Sequence, residues 1–437
     1  MHMTPRQANA AVWVIVAAPT VLALAGTGSN DWSGSAAIFN ALGRISGIAG
    51  MACLLVAATL SCRVPGFDVP FGGLTKLWKT HHQLGGAGFL LLLAHPPLLS
   101  LSAAYRSLDA AAQTLLPATP DFGITTGWIA LLAMMAFLAP SFALFGEPEY
   151  RRWRLLHRLA AVAVVAAVAH ASLLGRTLPG HAGMAVWLLL CAGALASVAW
   201  RFVFSRRGGR LRYIVESATA PANNVIELTL APIGGALVYS AGQFIYLTPH
   251  DKTLAAGRGE EHPYTLTSTP AETVLRVAIK GLGDATRAIQ SIAPGSEVDV
   301  EGPYGAFFPR SAQSGPEVWI AGGIGIAPFL GRLRDLAARG AGLDLQLVYC
   351  VQDPARAYFV AELEQLAARV PGARITMHYF YMEGSLSGPF LAAHCKDLAG
   401  RRAYVCGPEP LIALAQSLLL AAGVRRDRIV TEEFTLL

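Results

Sequence analysis

Charge is what this sequence has least of. Lysine, arginine, aspartate and glutamate make up 14% of 437 residues, against 54% hydrophobic. That balance excludes a wholly soluble chain of ordinary surface. Cysteine is also scarce. The six residues at 53, 62, 191, 350, 395 and 406 include no CxxC pair, which argues against a disulfide framework or a zinc ribbon. No basic run is interleaved with aromatics, so the net charge of +6 does not mark a nucleic-acid surface. There is no evident calcium-binding loop or regulatory extension. The apolar run from Ala11 to Ala25 lacks the strongly basic lead-in of a signal peptide, although Arg6 precedes it. With further apolar segments close behind, it reads as a first spanning helix.

What is present is unevenly distributed. Long apolar runs extend from about Ala11 to Phe204, and charge returns from Arg206 onward. The split predicts a membrane domain followed by a soluble one. Six spans are expected, at 9–28, 36–62, 79–103, 122–146, 154–175 and 183–204, each near the ~20 residues needed to cross the hydrocarbon. Basic residues follow the second span (Arg63, Lys76, Lys79), the fourth (Arg151, Arg152, Arg154, Arg158) and the sixth (Arg206, Arg207, Arg210, Arg212). The loops around Asp31 and from Asp109 to Asp121 are not basic. The positive-inside rule then puts the basic loops, both termini and the soluble half in the cytoplasm.

Four histidines stand out in the apolar half. His81 and His95 bracket one run and lie 14 residues apart; His157 and His170 bracket another and lie 13 apart. Either pair spans about 20 Å along a helix. Side by side, the two helices would set His81 opposite His157 and His95 opposite His170, two levels of paired imidazoles. Two bis-histidine haems are the economical explanation, since an uncompensated polar side chain in hydrocarbon is costly. The spacing has one flaw. Fourteen residues keep His81 and His95 on one face, whereas thirteen leave His157 and His170 about 140° apart on an ideal helix. His82 is an alternative to His81, and His181 to His170. Arg44, near the outer end of the second span, either snorkels or faces the outer haem, pairing with a propionate or an anion formed there. Gly47 and Gly50 beside it would let helices approach closely.

From Leu211 to about Val300 the pattern is of short alternating strands with glycine and proline punctuation, which predicts a small antiparallel β-barrel. Within it His262-Pro263-Tyr264-Thr265-Leu266-Thr267-Ser268 sets an aromatic ring beside hydroxyls, a surface suited to a flavin. Lys280-Gly281-Leu282-Gly283-Asp284-Ala285-Thr286 ends a strand and opens a helix, as a pyrophosphate site would. Gly302-Pro303-Tyr304-Gly305 closes the barrel. From Glu317 the period changes to alternating strand and helix, a dinucleotide-binding α/β pattern. Gly322, Gly323 and Gly325 would let backbone approach a phosphate. Cys406-Gly407-Pro408 falls at the end of a late strand, where ligands bind in open parallel sheets.

Taken together, these residues resemble the bacterial relatives of NADPH oxidases and ferric reductases. The likeness rests on Gly43-Arg44, the two histidine pairs, the segment from His262 to Ser268, the run Gly322-Gly323-Ile324-Gly325-Ile326-Ala327-Pro328, Cys406-Gly407-Pro408 and the ending Glu432-Glu433-Phe434, and it covers nearly the whole chain. It implies three domains: an all-α six-helix transmembrane di-haem bundle over 1–208, an antiparallel β-barrel FAD domain over 209–312, and an α/β NAD(P) domain over 313–437. It implies two b-type haems, FAD, and NADPH or NADH. A nicotinamide would dock near Gly325, Cys406 and Pro408 and give a hydride to FAD. Single electrons would then pass to the haem at His81 and His157, and on to the haem at His95 and His170. Phe434 is the candidate for an aromatic over the flavin, although three residues follow it. His82 stands where relatives often carry a basic residue.

The expected activity is a transmembrane NAD(P)H oxidase of the bacterial inner membrane that reduces oxygen to superoxide at the outer face. A ferric chelate is the alternative acceptor, and a periplasmic protein the third; no obligatory protein partner is evident. Arg356 could pair with a 2′-phosphate and favour NADPH, while Asp353 beside it argues for NADH.

Overall fold

A computed structural model describes residues 3–138, 150–174, 178, 180–205, 209–308 and 315–433. Two compact units emerge. One comprises Met1–Arg63 and Lys76–Ser205, the other Val64–Thr75 and Arg206–Leu437.

The first unit is helical: α1 (Pro5–Ala25), α2 (Ser35–Leu60), α3 (Leu74–Ala104), a short α4 (Leu108–Leu115), α5 (Phe122–Leu138), α6 (Tyr150–Leu156), α7 (Leu159–Leu174) and α8 (Gly180–Ala199). Local chemistry sets the ends. Thr4 and Gln7 form a capping box around Pro5 at the start of α1, which satisfies donors the helix leaves open. Five helices among the described residues are long and apolar enough to cross a membrane: Pro5–Ala25, Ser35–Leu60, Leu74–Ala104, Arg152–Leu174 and Gly180–Val203. The remaining expected span, 122–146, is described only to Leu138; the rest of it lies outside the described residues. Large apolar side chains such as Leu90 and Leu189 point outward, as they do when the solvent is hydrocarbon.

Glycines bring α2 and α3 together. A methyl group on Gly88 would stand 2.9 Å from Cys53 Cβ and 3.1 Å from the Gly50 carbonyl, and one on Gly50 would meet Leu92. The backbones are therefore nearly in contact, as in other small-residue helix pairs.

The second unit holds two sheets. The six-stranded antiparallel sheet has the order β4-β3-β6-β1-β2-β5, with β1 (Leu211–Ala222), β2 (Val225–Pro232), β3 (Phe244–Pro249), β4 (His262–Thr265), β5 (Leu275–Lys280) and β6 (Glu297–Tyr304). Its edges meet just beyond β4, where Leu266 bridges Val277 of β5 and the Thr267 N–H donates to the Arg276 carbonyl at 2.8 Å. That closure makes a small barrel around Tyr213, Leu228, Leu247, Val277 and Val300. The alternating pattern is interrupted before β3, which begins only at Phe244. A short helix, α9 (Asp284–Ala288), follows β5.

The second sheet is parallel, in the order β11-β10-β7-β8-β9. Its strands are β7 (Glu317–Gly322), β8 (Leu345–Val351), β9 (Ala373–Tyr379), β10 (Arg402–Gly407) and β11 (Ile429–Glu433). Helices α10 (Ala327–Ala338), α11 (Val360–Arg369) and α12 (Glu409–Ala421) are among its connections. The chain leaves β7 toward β8 on one side and returns as β10 on the other. The strand order therefore reverses between β7 and β10, and a crevice opens at their carboxyl ends. β11 had no strand signal in the sequence reading; five residues pair it with β10.

The α2–α3 contact generates a test. Gly88→Val should force the two helices apart and cost about 1–3 kcal/mol, lowering the thermal midpoint of the purified protein. Gly86→Ala, where an added Cβ meets nothing within 4 Å, should be neutral or stabilising.

Candidate functional site

Helix α3 carries His81 and His95, while His157 and His170 lie at the α6–α7 break and in α7. The rings pair across the bundle as the spacing predicts: His81 with His157 and His95 with His170, each with centroids 6.3 Å apart and planes inclined at 61° and 79°. The alternatives His82 and His181 are exposed. The phase mismatch of thirteen residues is taken up at His157 itself. The helix breaks there into a tight turn, with i to i−3 bonds from Arg158 to Leu155, Ala160 to His157 and Ala161 to Arg158. Thirteen α-helical residues fall about 140° short of four turns. A 3₁₀ residue advances about 120° where an α residue advances about 100°, so the turn moves His157 toward the face of His170.

Three of the four rings are held by backbone. Nδ1 of His81 bonds the Ala57 carbonyl at 2.8 Å, that of His95 the Gly43 carbonyl at 2.7 Å, and that of His170 the Gly123 carbonyl at 2.8 Å. A helical carbonyl is normally screened by the side chain four residues on. Here those residues are Gly47 and Gly127 for the second pair, and a methyl on either would fall 2.6 or 2.7 Å from the imidazole Nδ1. Glycine at both places keeps the carbonyl oxygen, which also accepts from the Ser46 or Thr126 hydroxyl at 2.9 Å, within reach of the imidazole. With Nδ1–H donating, Nε2 is left as the ligand nitrogen. His157 is held differently, with Trp153 stacked on it at 4.8 Å and Phe137 edge-on at 5.1 Å. Its Nδ1 has no hydrogen-bond partner among the described residues.

The gap between the rings has a definite size. An imidazole nitrogen sits about 2 Å from a first-row metal and about 1.2 Å from its own ring centre, so two rings on opposite sides of one ion have centres about 6.3 Å apart. Both pairs match that separation. A cavity of about 500 Å³ surrounds His95 and His170, walled by Met51, Leu92, Leu131 and Met134 and bordered by Arg44 and Trp187. Arg44 is ion-paired with Asp31 through one terminal nitrogen. Its Nε and the Trp187 indole N–H remain buried donors without acceptors among the described residues. An apolar chamber with leftover donors and an imidazole on each side fits a haem and its carboxylates.

In the soluble unit the crevice between β7 and β10 gathers Gly322, Gly323, Gly325, Cys406, Gly407 and Pro408. Two of the glycines also have a packing role. A methyl on Gly325 would lie 2.4 Å from the Cys406 carbonyl oxygen, and one on Gly322 the same distance from Leu411 and 2.9 Å from Pro408. Gly322 and Gly325 therefore seat the first turn against the end of β10. Gly323, with φ of +53° and nothing within 4 Å, is the glycine open to a ligand. Tyr349, missed in the sequence, donates to the Gly323 carbonyl at 3.1 Å. Pro328 starts α10 in the buried wall. Cys406 is buried, and its thiol is pushed well above the usual range by burial and the nearby Glu432 carboxylate.

Three hydroxyls assigned to a ligand are engaged by protein. Thr267 donates to Glu227 at 2.7 Å. Ser268 bonds the Tyr239 hydroxyl at 2.7 Å and accepts from the Arg276 N–H, and both side chains are fully buried. Thr286 accepts from the N–H groups of Leu282 and Gly283 at 2.9 and 2.8 Å. It closes its own turn, and those amides are not free for phosphate. His262, Pro263 and Tyr264 remain partly exposed along β4, with Thr265 buried at its end and Lys280 partly exposed at the end of β5. Arg356 is exposed, ion-paired with Asp353 at 2.6 Å and set over the Tyr381 ring at 5.7 Å. Arg356 and Asp353, opposed as signals in the sequence, are one feature in space. Phe434 lies outside the described residues.

Comparison with known proteins bears on all three regions. Residues 46–168 match the family model of the ferric reductase like transmembrane component, 212–307 an FAD-binding domain, and 319–417 an oxidoreductase NAD-binding domain. The ferredoxin reductase component of the 3-ketosteroid-9-alpha-monooxygenase of Mycolicibacterium smegmatis is 31% identical over 204 residues, 45% of this chain and 56% of that relative. The ferredoxin–NAD(+) reductase component of the alkene monooxygenase system of Xanthobacter autotrophicus is 32% identical over 216 residues, 47% of this chain and 63% of that relative. The chain thus spans less than two thirds of either. The FAD/NAD-binding domain of a nitric oxide dioxygenase from Vibrio cholerae is 23% identical, with a TM-score of 0.46, 51% of this chain and 98% of that one being covered.

Burial of the soluble unit's thiols sets a pH limit. Burial pushes Cys350 up to about 12 and Cys395 up to about 11, from an ordinary value of 9.0. A raised thiol pKa stabilises the folded state fully below the unfolded value and progressively less as pH rises through the folded one. Stability should therefore fall between pH 9.0 and about 12, checked by thermal midpoint against pH. At about pH 8 these thiols and Cys406 should resist alkylation until the protein is unfolded.

Proposed function

This chain has the ferric reductase / NADPH oxidase type of architecture, a ferric-reductase-like transmembrane component fused to FAD- and NAD-binding domains, and from that premise we propose that it is a transmembrane NAD(P)H oxidase delivering single electrons to dioxygen at the outer membrane face. It is a membrane-associated, FAD- and NAD-dependent oxidoreductase. The finer reading rests on one observation above the rest. Two imidazole pairs each leave a gap that would accept a single metal ion, and three of the four rings donate Nδ1–H to backbone, which leaves Nε2 as the ligand nitrogen.

When bound, the nicotinamide would supply a hydride, the flavin would divide it into single electrons, and two haems would carry these through a barrier the nucleotide does not cross. His81 and His157 would hold one haem and His95 and His170 the other. The fourteen residues between His81 and His95 separate the two levels by about 20 Å along α3. Arg44, in the third turn of α2 and ion-paired with Asp31, offers a cation and a free Nε next to the His95–His170 chamber. That placement suits a carboxylate of the cofactor or a small anion formed there. No side chain need move a proton for electrons to flow, so these residues work by ligation, orientation and exclusion of water.

The basic residues Arg63, Lys76, Lys79, Arg152, Arg154 and Arg158 support placing the His81–His157 level at the cytoplasmic face of the bacterial inner membrane. Domain limits near 208 and 312 follow the same reading. The exposed Arg356 over Tyr381 suits the 2′-phosphate of NADPH, with Asp353 as the group that phosphate would displace. A second reading is favoured by the relatives, which are named as reductase components of oxygenase systems: the same path would end in a protein acceptor.

The test is anaerobic reduction of the purified full chain by NADPH, with NADH in parallel, followed by oxygen. Reduced-haem absorbance that collapses on admitting oxygen, with superoxide released, is the expected result. Haems that stay reduced in oxygen and discharge only to a ferric chelate or an added protein would overturn the oxidase reading.

A further inference from the structure

Helix α10 leaves the glycine turn of the dinucleotide crevice and runs directly along the segment that follows β4. The contact is made at successive turns of the helix. A methyl on Gly331 would fall 2.7 Å from the Leu266 carbonyl oxygen, so helix and segment touch backbone to backbone. Three residues on, the Arg334 side chain is 6% exposed and surrounded by acceptors. Its Nη1 donates to Glu227 at 2.8 Å and to the Thr267 carbonyl at 2.9 Å. Nη2 donates to Glu227 at 3.3 Å and Glu362 at 2.8 Å, and Nε donates to Glu362 at 2.7 Å. All five N–H groups of the guanidinium are thus used. Glu227 belongs to β2 of the barrel and Glu362 to α11 of the parallel-sheet domain. Thr267 closes the circuit by donating to the same Glu227. Next along the helix, Asp335 accepts from Thr269 at 3.4 Å.

The segment 266–269 continues from Tyr264 and Thr265, the flavin strand of the reading above, and α10 continues from Gly323, the open glycine of the nicotinamide crevice. Whatever fixes one against the other fixes the distance over which hydride moves. A planar fork engaged on two carboxylates defines orientation as well as separation. We propose that Arg334 is a positioning residue for flavin reduction, clamping the barrel to the nucleotide domain so that the dihydronicotinamide lies within hydride reach of the flavin. The inference rests on that reading of the soluble half. The step itself moves a hydride, with its electron pair, from the dihydronicotinamide to the flavin, which leaves the nicotinamide oxidised and the flavin reduced. Arg334 touches neither; it acts through Glu227, Glu362 and the Thr267 carbonyl.

The test uses the full chain with FAD bound and follows anaerobic flavin reduction by NADPH, and by NADH, in stopped flow. Arg334→Lys keeps the charge and loses both forks. Per bound flavin, its hydride transfer should slow on the order of ten- to a hundredfold, with the half-saturating nucleotide concentration changed by no more than about twofold. The isotope effect with deuterated nucleotide should persist. Glu362→Gln, at the more exposed end of the clamp, should slow the step by a few fold. A merely structural role would lower flavin content or the melting point while each flavin-loaded molecule reacted at the wild-type rate; that outcome overturns the proposal. If Arg334→Lys does not retain flavin, Glu362→Gln decides, and a wild-type rate there overturns it. Wild-type flavin reduced by neither nucleotide would instead overturn the underlying reading.

Discussion

The membrane half depends on a hydrogen bond from an imidazole to a helix carbonyl that is already in use. Each carbonyl oxygen has two lone pairs, and the helix engages one. At Gly43 and Gly123 the oxygen, which also accepts from the Ser46 or Thr126 hydroxyl, stays within reach of a ring because Gly47 and Gly127, four residues later, have no side chain to cover it. His95 and His170 fill the places a Cβ would have taken. The bond settles two things together. A buried polar ring in hydrocarbon gains a partner it must have, and the opposite nitrogen is turned into the space between helices. For the His95–His170 pair, helix separation, ring tautomer and the 6.3 Å gap are then set at the same few glycines.

The soluble half uses glycine for a related end. Gly322 and Gly325 bring the first turn of the parallel sheet onto the end of β10, and Gly331 brings α10 onto the barrel. Close backbone approach then holds the two nucleotide-facing walls at fixed spacing. Arg334, Glu227 and Glu362 add direction to that contact. Taking an arginine and a carboxylate out of water is costly, and here each N–H of the guanidinium is met by an acceptor.

Much of the architecture is legible in the sequence because its signals are periodic. Five of the six apolar runs, most of the alternating strands and the strand–turn–helix pattern after Glu317 map onto observed elements. The pairing of His81 with His157 and His95 with His170 is expected from the two similar spacings, although the thirteen-residue one leaves the phase unmatched. What the sequence does not carry is partner identity. Thr267 and Ser268 look like ligands of a cofactor because hydroxyls beside a tyrosine do so in one dimension; in space they bond Glu227 and Tyr239. Thr286 looks like a phosphate ligand and instead closes its own turn. Gly322 and Gly325 also make packing contacts that the sequence does not show. Arg334 carries no local signal, since its partners are 107 and 28 residues away. The break at His157 is equally hidden, because the apolar pattern runs through it without proline or glycine.

The most direct test of the central claim is stoichiometry. Full-length protein purified in detergent would be assayed for b-type haem as the pyridine haemochrome and for extracted FAD in the same sample. Two imidazole pairs and one flavin module predict two haems per FAD in the native chain, with one remaining after His95→Ala. A native chain that binds FAD and no haem, or one whose haem content is unchanged by His95→Ala, would contradict the account.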